Sequence, residues 1–381
     1  MKLIHCADLH LDSNMTTHLS KERAKERKAE LLSTFDRMIA FACEEGVQAV
    51  LIAGDLFDRK NFSATARKTV YHAVVDHPQI TFYYLQGNHD VNLFLPEDEP
   101  CPDNLKLFDG QWRSYVQEEK GRRLVITGVE LDADNASLIS NSLTLDRQDF
   151  NIVMLHGQEA EHAAKDRTEI VPLWELRGKG VDYLALGHIH SYKKEALDSR
   201  GTYCYPGCLE GRGFDECGEH GFVLLDVDME TGSYTSDFVP FASRTLYTVD
   251  VDVSDCMSTS EILAKVRTIC AEKKYKNTSF LKIVLRGEVD VDCEKDLDYL
   301  VNWLQDDFYF VKAKDQTRIR IDYDKYMLDE SLKGEFVRTV RASEELSEED
   351  KAQIVQYGIR ALAGEEIELN LYSVKSRILE N

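Results

Sequence analysis

Val47-Gln48-Ala49-Val50-Leu51-Ile52-Ala53-Gly54-Asp55 is a short, nearly unbroken apolar run that stops on a glycine and a carboxylate. A run of this length bounded by turn residues reads as a strand buried on both faces. The same ending recurs along the chain. Lys2 to Cys6 leads into Asp8-Leu9-His10, and Thr81 to Leu85 into Gly87-Asn88-His89-Asp90. Asn151 to Leu155 leads into His156-Gly157, and Tyr183 to Leu186 into Gly187-His188-Ile189-His190. Between the early strands lie helical patterns. Ser20 to Glu45 carries an apolar stripe through Leu31, Phe35, Met38 and Ile39 and stops at Gly46; Ser63 to Val75 is the second. Strand, loop and helix in alternation predict an α/β fold with a mostly parallel sheet. Function in such sheets gathers beyond the carboxyl ends of the strands, where every one of these polar pieces lies. Leu124 to Gly128 reads as a further core strand. Gly221 to Asp228 and Ser236 to Pro240 alternate like antiparallel strands and are expected to close a second sheet.

With 381 residues the chain exceeds what one core usually holds. The polar pieces all fall in residues 1–245, which we read as the catalytic domain. After Ser243 the pattern restarts as a small α+β accessory domain, 246–324. Residues 325–381 are read as helical, with Ser331 to Gly364 as an element for docking a partner. Hydrophobic residues at 43% and charged ones at 30% exclude disorder, collagen and coiled coil. No apolar run reaches membrane-spanning length, and the apolar start after Met1 is too short for a signal peptide, so a cytoplasmic protein is expected. Nine cysteines without framework spacing fit reduced thiols, and Cys204, Cys208 and Cys217 lack the paired spacing of a zinc ribbon. A net charge of −22 argues against a general nucleic-acid binder. It permits a nuclease, because bound cations supply positive charge where a phosphate docks.

The polar pieces together hold Asp8, Asp55, Asn88, His10, His156, His188 and His190, a ligand supply for two metal ions. Aspartate bridges divalent ions, histidine offers a directional nitrogen and asparagine a neutral oxygen. Such mixed sets suit manganese, iron or zinc better than magnesium alone. Two ions about 3.5–4 Å apart clamp the attacking and leaving oxygens of an in-line displacement, the chemistry of phosphate-ester cleavage. A lone Asp-x-His is weak evidence; all the pieces, in order and at strand ends, are strong evidence.

The ordered set resembles the calcineurin-like metallophosphoesterase superfamily. Its fuller forms, DLHLD at 8–12, GDLFD at 54–58 and GHIH at 187–190, are similar to SbcD-like DNA repair exonucleases, as is Tyr205-Pro206-Gly207 followed by residues 209–216. The resemblance implies a two-sheet metallophosphoesterase sandwich flanked by helices, followed by a capping domain and C-terminal helices. It implies one metal on Asp8, His10, Asp55 and His190, and a second on Asp55, Asn88, His156 and His188, with Mn2+ favoured. His89 would then sit over the scissile phosphate and stabilise the transition state or protonate the leaving oxygen. A catalytic imidazole needs a partner that fixes its tautomer, and Asp58 is the expected one, although related nucleases of archaea and eukaryotes carry histidine there. The resemblance further implies 3′-to-5′ exonuclease and single-strand endonuclease activity on DNA, a homodimer, and an SMC-like coiled-coil ATPase partner.

Two rivals stand beside this reading. One is a phosphatase or phosphodiesterase acting on a small molecule or phosphoprotein, for which Arg59 beside Asp58 is the best argument. The other is a non-catalytic scaffold that recruits the ATPase. His5 is expected in the core or behind the ligands; His18, His72, His77, His162 and His220 at the surface or in packing. Asp12 and Asp90 are read as turn formers or as acceptors that orient His10 and Asn88. The basic run Lys21 to Lys28 is expected on an exposed helix face, and Trp112, Trp174 and Trp303 in the core.

Overall fold

Alternating side chains on buried strands must find cover on both sides, and the chain meets that demand with two sheets packed face to face. In the computed structural model, Lys2–Cys6, Ala49–Ala53, Thr81–Leu85 and Leu105–Leu107 run parallel, with Leu3 beside Ala49 and Ala53 beside Leu85. The structure describes all residues except 16–18, 59–61, 91–92, 96–99, 133–134, 137–138, 162–168, 291, 321–322 and 363–381. His18, Arg59, His162 and Gly364 therefore lie outside the described residues. The second sheet places Tyr183–Gly187 between Phe150–His156 and Thr202–Tyr205, with Arg122–Gly128, Arg113–Glu119 and Lys193–Ala196 completing it.

The core follows from the alternation. Leu3, Leu51, Tyr83 and Leu85 from one sheet meet Ile126, Ile152, Met154 and Ala185 from the other. The opposite face of the first sheet, with Ile4, Val50, Ile52 and Phe82, is covered by Leu31, Phe35 and Met38 of the helix Lys21–Glu44 and by Val70 and Val74 of Ala64–Val75. Both helices start on a serine whose hydroxyl accepts a first-turn N–H: Ser20 from Arg23 and Ser63 from Ala66.

Three expectations need correction. Gly221–Val227 and Tyr234–Pro240 are antiparallel, but they extend the first sheet beside Lys2–Cys6 instead of closing the second. The alternation announced an antiparallel pair and held no information on its partner. The basic run is not all solvated, since Arg27 is 1% exposed and ion-paired with Glu210. Trp303 is 49% exposed and lies outside the core.

The chain divides into two units, Met1–Leu246 and Tyr247–Asn381. The second has its own core, in which Val251, Ile283 and Val311 of a three-stranded sheet pack on Ile262, Val266 and Leu300. The helices Leu332–Ala342 and Glu348–Leu362 close a smaller cluster through Val337, Val340, Val355 and Ile359. Among the described residues, no helix is long and apolar enough to cross a membrane.

Candidate metal centre

The loops beyond the strand ends are held by backbone bonds between neighbours. Asp8 N–H donates to Gly54 O at 3.1 Å and His10 N–H to Asp55 O at 3.0 Å. Gly157 N–H donates to Gly187 O across the second sheet at 3.1 Å. Gly54 adopts φ +90°, and a Cβ there would lie 2.2 Å from His156 Nδ1, so only glycine fits. Asp8, His10, Asp55 and His188 also lie at positive φ, at 51°, 43°, 52° and 105°. Such backbone costs a side-chain-bearing residue roughly 1 kcal/mol or more and is typical of functional sites.

This geometry turns the ligand-grade atoms toward one another. His10 Nε2 lies 3.2 Å from His190 Nε2, 3.8 Å from Asp55 Oδ2, and His190 Nε2 lies 4.0 Å from Asp8 Oδ1. On the other side of Asp55, His156 Nε2 is 3.4 Å from Asp55 Oδ2 and 3.1 Å from Asn88 Oδ1. Asp55 thus stands between two groups of donors. His188 approaches with its ring 5.4 Å from that of His156, while its backbone N–H donates to both oxygens of Asp8 at 3.0 Å. His89 sits at the rim, 44% exposed, edge-on to His10 at 5.1 Å, and its N–H donates to Asp55 Oδ1 at 3.0 Å.

The atoms that converge are the ones a cation needs. His156 Nδ1–H donates to Ala53 O at 2.9 Å, which leaves the Nε2 lone pair facing the carbonyl oxygen of Asn88. His190 Nδ1–H donates to Glu216 Oε1 at 2.7 Å, which leaves its Nε2 facing that of His10. Lone pairs aimed at one another, with two buried carboxylates beside them, fit a divalent cation. Burial raises the Asp8 carboxyl, and the charge of Asp55 adds to this against the pull of His156, His190 and His10. Burial also opposes ionisation of Asp55, but hydrogen bonding and charge from His156 outweigh it and hold Asp55 well below the usual range. Against its own burial, His156 is raised to about 9 by Asp55 and Asp8. The centre is a concentrated negative field that draws a proton where no cation is bound.

The surrounding groups play parts that spacing did not reveal. Asp90 accepts the N–H groups of Phe57 at 2.9 Å and of Leu56 and Gly87 at 3.1 Å, joining two ligand loops. Both oxygens of Asp12 are engaged by Ser63 and Lys28. Asp58 accepts from Ser13 Oγ at 3.0 Å and lies 3.3 Å from His10 Nδ1 and 3.7 Å from His89 Nδ1, in hydrogen-bond geometry with neither ring. Arg212 and Glu216 belong to the family-like stretch 209–216, where the sequence alone gives neither a role. They stand directly behind His190, and the one sequence signal was an acid and a base on a glycine-rich loop. His5 is fully buried, with Nδ1 2.9 Å from Tyr183 Oη, and burial lowers its pKa to about 3. Cys208 lies 3.2 Å from His220 Nδ1, both buried, and every described cysteine is a free thiol.

Comparison with known proteins agrees with this geometry. A family model described as calcineurin-like phosphoesterase matches residues 1–192. The metallophosphoesterase YhaO of Bacillus subtilis is 29% identical over 306 residues, covering 75% of this chain and 72% of that protein. The DNA double-strand break repair protein Mre11 of Saccharolobus solfataricus is 23% identical over 394 residues and 96% of both chains. A component of the nuclease SbcCD of Escherichia coli is 24% identical over 271 residues, 59% of this chain and 64% of that one.

Proposed function

The chain belongs to the calcineurin-like phosphoesterase family, and on that premise we propose that it is a manganese-dependent phosphodiesterase acting on DNA in the cytoplasm. The observation that carries the hydrolytic part is the convergence of donors on both sides of Asp55. Asp8, His10, Asp55 and His190 would hold one cation, and Asp55, Asn88, His156 and His188 the other. Two cations bound there would supply Lewis-acid charge to the phosphate and to the attacking and leaving oxygens. His89 at the rim presents its imidazole to the scissile ester and donates a proton to the leaving oxygen. Asp58 holds the proton on the far nitrogen once the ring turns toward it. DNA as substrate is supported by likeness to break-repair and nuclease proteins along most of the chain. On this reading the activity comprises 3′-to-5′ exonuclease and single-strand endonuclease steps of a homodimer. The C-terminal segment 325–381, whose Leu328 and Leu332 are 85% and 69% exposed, docks a coiled-coil ATPase.

A second reading has its own observation. The cleft beside Asn88 and His156 is lined by Glu130, Asp132 and Glu169, a wall that repels a polyanion and favours a smaller phosphodiester. One experiment separates the two: cleavage of single- and double-stranded DNA and of bis(p-nitrophenyl) phosphate, each with manganese. DNA cleavage that falls roughly 10²–10⁴-fold in His89→Ala is the expected result. Intact DNA with a cleaved small ester would leave the metal centre standing and overturn the DNA assignment.

A further inference from the structure

The imidazoles on the two sides of Asp55 are backed differently. His156 rests its Nδ1–H on a neutral backbone carbonyl, that of Ala53. Behind His190 and His10 stand carboxylates instead. Glu216 Oε1 accepts His190 Nδ1–H at 2.7 Å, and Asp58 Oδ1 lies 3.3 Å from His10 Nδ1. Arg212 spans these two acids. Its Nη2 donates to Glu216 Oε1 at 2.8 Å, its Nη1 to Asp58 Oδ1 at 3.3 Å, and its backbone N–H to Glu216 Oε2 at 2.7 Å.

The loop that carries this pair is itself fixed. Glu210 accepts from Thr34 Oγ1 at 2.7 Å and from the buried Arg27 at 3.1 Å, and Arg27 also donates to Gly211 O at 3.0 Å. Glu216 O lies 2.9 Å from His220 Nε2. The Arg212–Glu216 pair acts through His190, by holding the proton on its Nδ1 and making its Nε2 a stronger donor.

From this geometry we infer that Glu216, held by Arg212, is the positioning residue of one metal site only, the site of His10 and His190. The inference rests on the two-metal reading above. The carboxylate–imidazole pairing at His190 strengthens that site, whereas among the described residues His156 of the other site has a neutral carbonyl, that of Ala53, on its Nδ1. The two cations therefore bind with unequal affinity, and the Arg212–Glu216 pair sets the difference.

The test is calorimetric titration of Mn2+ into the chelator-stripped 381-residue chain, with metal content after dialysis as a second readout. Glu216→Ala is expected to weaken one of two Mn2+ equivalents about 10–100-fold and leave the other unchanged. Glu216→Gln, which keeps an acceptor for His190, should recover part of that loss. Arg212→Met leaves the carboxylate in place and serves if Glu216→Ala does not melt cooperatively without metal; it should weaken the same equivalent by a smaller factor. Two unaltered equivalents in Glu216→Ala or Arg212→Met, or equal weakening of both, would overturn the inference while the native two-metal centre stands. Fewer than two equivalents in the native protein would overturn the two-metal reading, and this inference with it.

Discussion

Asp90 shows how much a single buried carboxylate can organise. Its three backbone donors come from Leu56 and Phe57, 34 and 33 residues earlier, and from Gly87 in its own turn. Asp90→Ala leaves those N–H groups without their acceptor, at about 1–3 kcal/mol for each one that stays buried. Urea denaturation of the metal-free protein should show a loss of roughly 3 kcal/mol, within the range of a broken buried network. Spacing suggested either a turn former or an orienting acceptor for Asp90. The choice between them depends on chain segments that meet only in the fold. Glu216 was unreadable for the same reason, since its partner His190 lies 26 residues away. Glu130 yields a pH prediction. Burial raises its carboxyl to about 7, and Asp109 and Asp90 add to this against the Gln86 N–H. The folded chain then keeps this proton to higher pH than the unfolded chain. The stabilisation is complete below the ordinary glutamate range and is lost as pH rises through about 7. Glu130→Gln should gain stability over the native protein between pH 5 and pH 8, by roughly 1–2 kcal/mol after solvent screening. Chemical denaturation at the two pH values, with chelator present, checks it.

At the scale of elements, the decisive places are the strand ends where the two sheets come closest. A Cβ on Gly187 would lie 1.9 Å from Ala53 O and 2.8 Å from His156 Nδ1. Gly187→Ala must push the sheets apart or displace the His156 ring. The expected outcome is a fall in unfolding temperature together with loss of metal, measured by calorimetry and by metal content after dialysis. The central strands were readable because burial on both faces makes them short continuous apolar runs. Edge strands were not. Arg113–Glu119 and Lys193–Ala196 are polar and largely exposed, and they form by pairing with a neighbour more than by hydrophobic pattern. The misplaced pair Gly221–Val227 and Tyr234–Pro240 has a related cause. Period-two alternation fixes which side chains point inward and leaves the choice of neighbouring strand to the whole sheet.

For the molecule as a whole, separate cores on either side of Leu246 predict that Met1–Leu246 expressed alone melts cooperatively and binds the same metals as the full chain. Failure to melt cooperatively would show that the first core is insufficient by itself. If DNA is the substrate, as proposed, the charge of −22 leaves room for few phosphate contacts. With few phosphate contacts, binding should show a shallow salt dependence, each contact adding about −0.9 to the slope of log affinity against log salt. The burial of Asp8 and Asp55 side by side has one more consequence. An unfolded chain scatters these charges into water, so a cation held by them would bind the native form far more tightly and shift the folding equilibrium by mass action. One site filled at a hundred times its dissociation constant contributes about 2.7 kcal/mol. The melting temperature is therefore a gauge of occupancy. A thermal-shift series with manganese, zinc, iron and magnesium would rank the cations before any substrate is known.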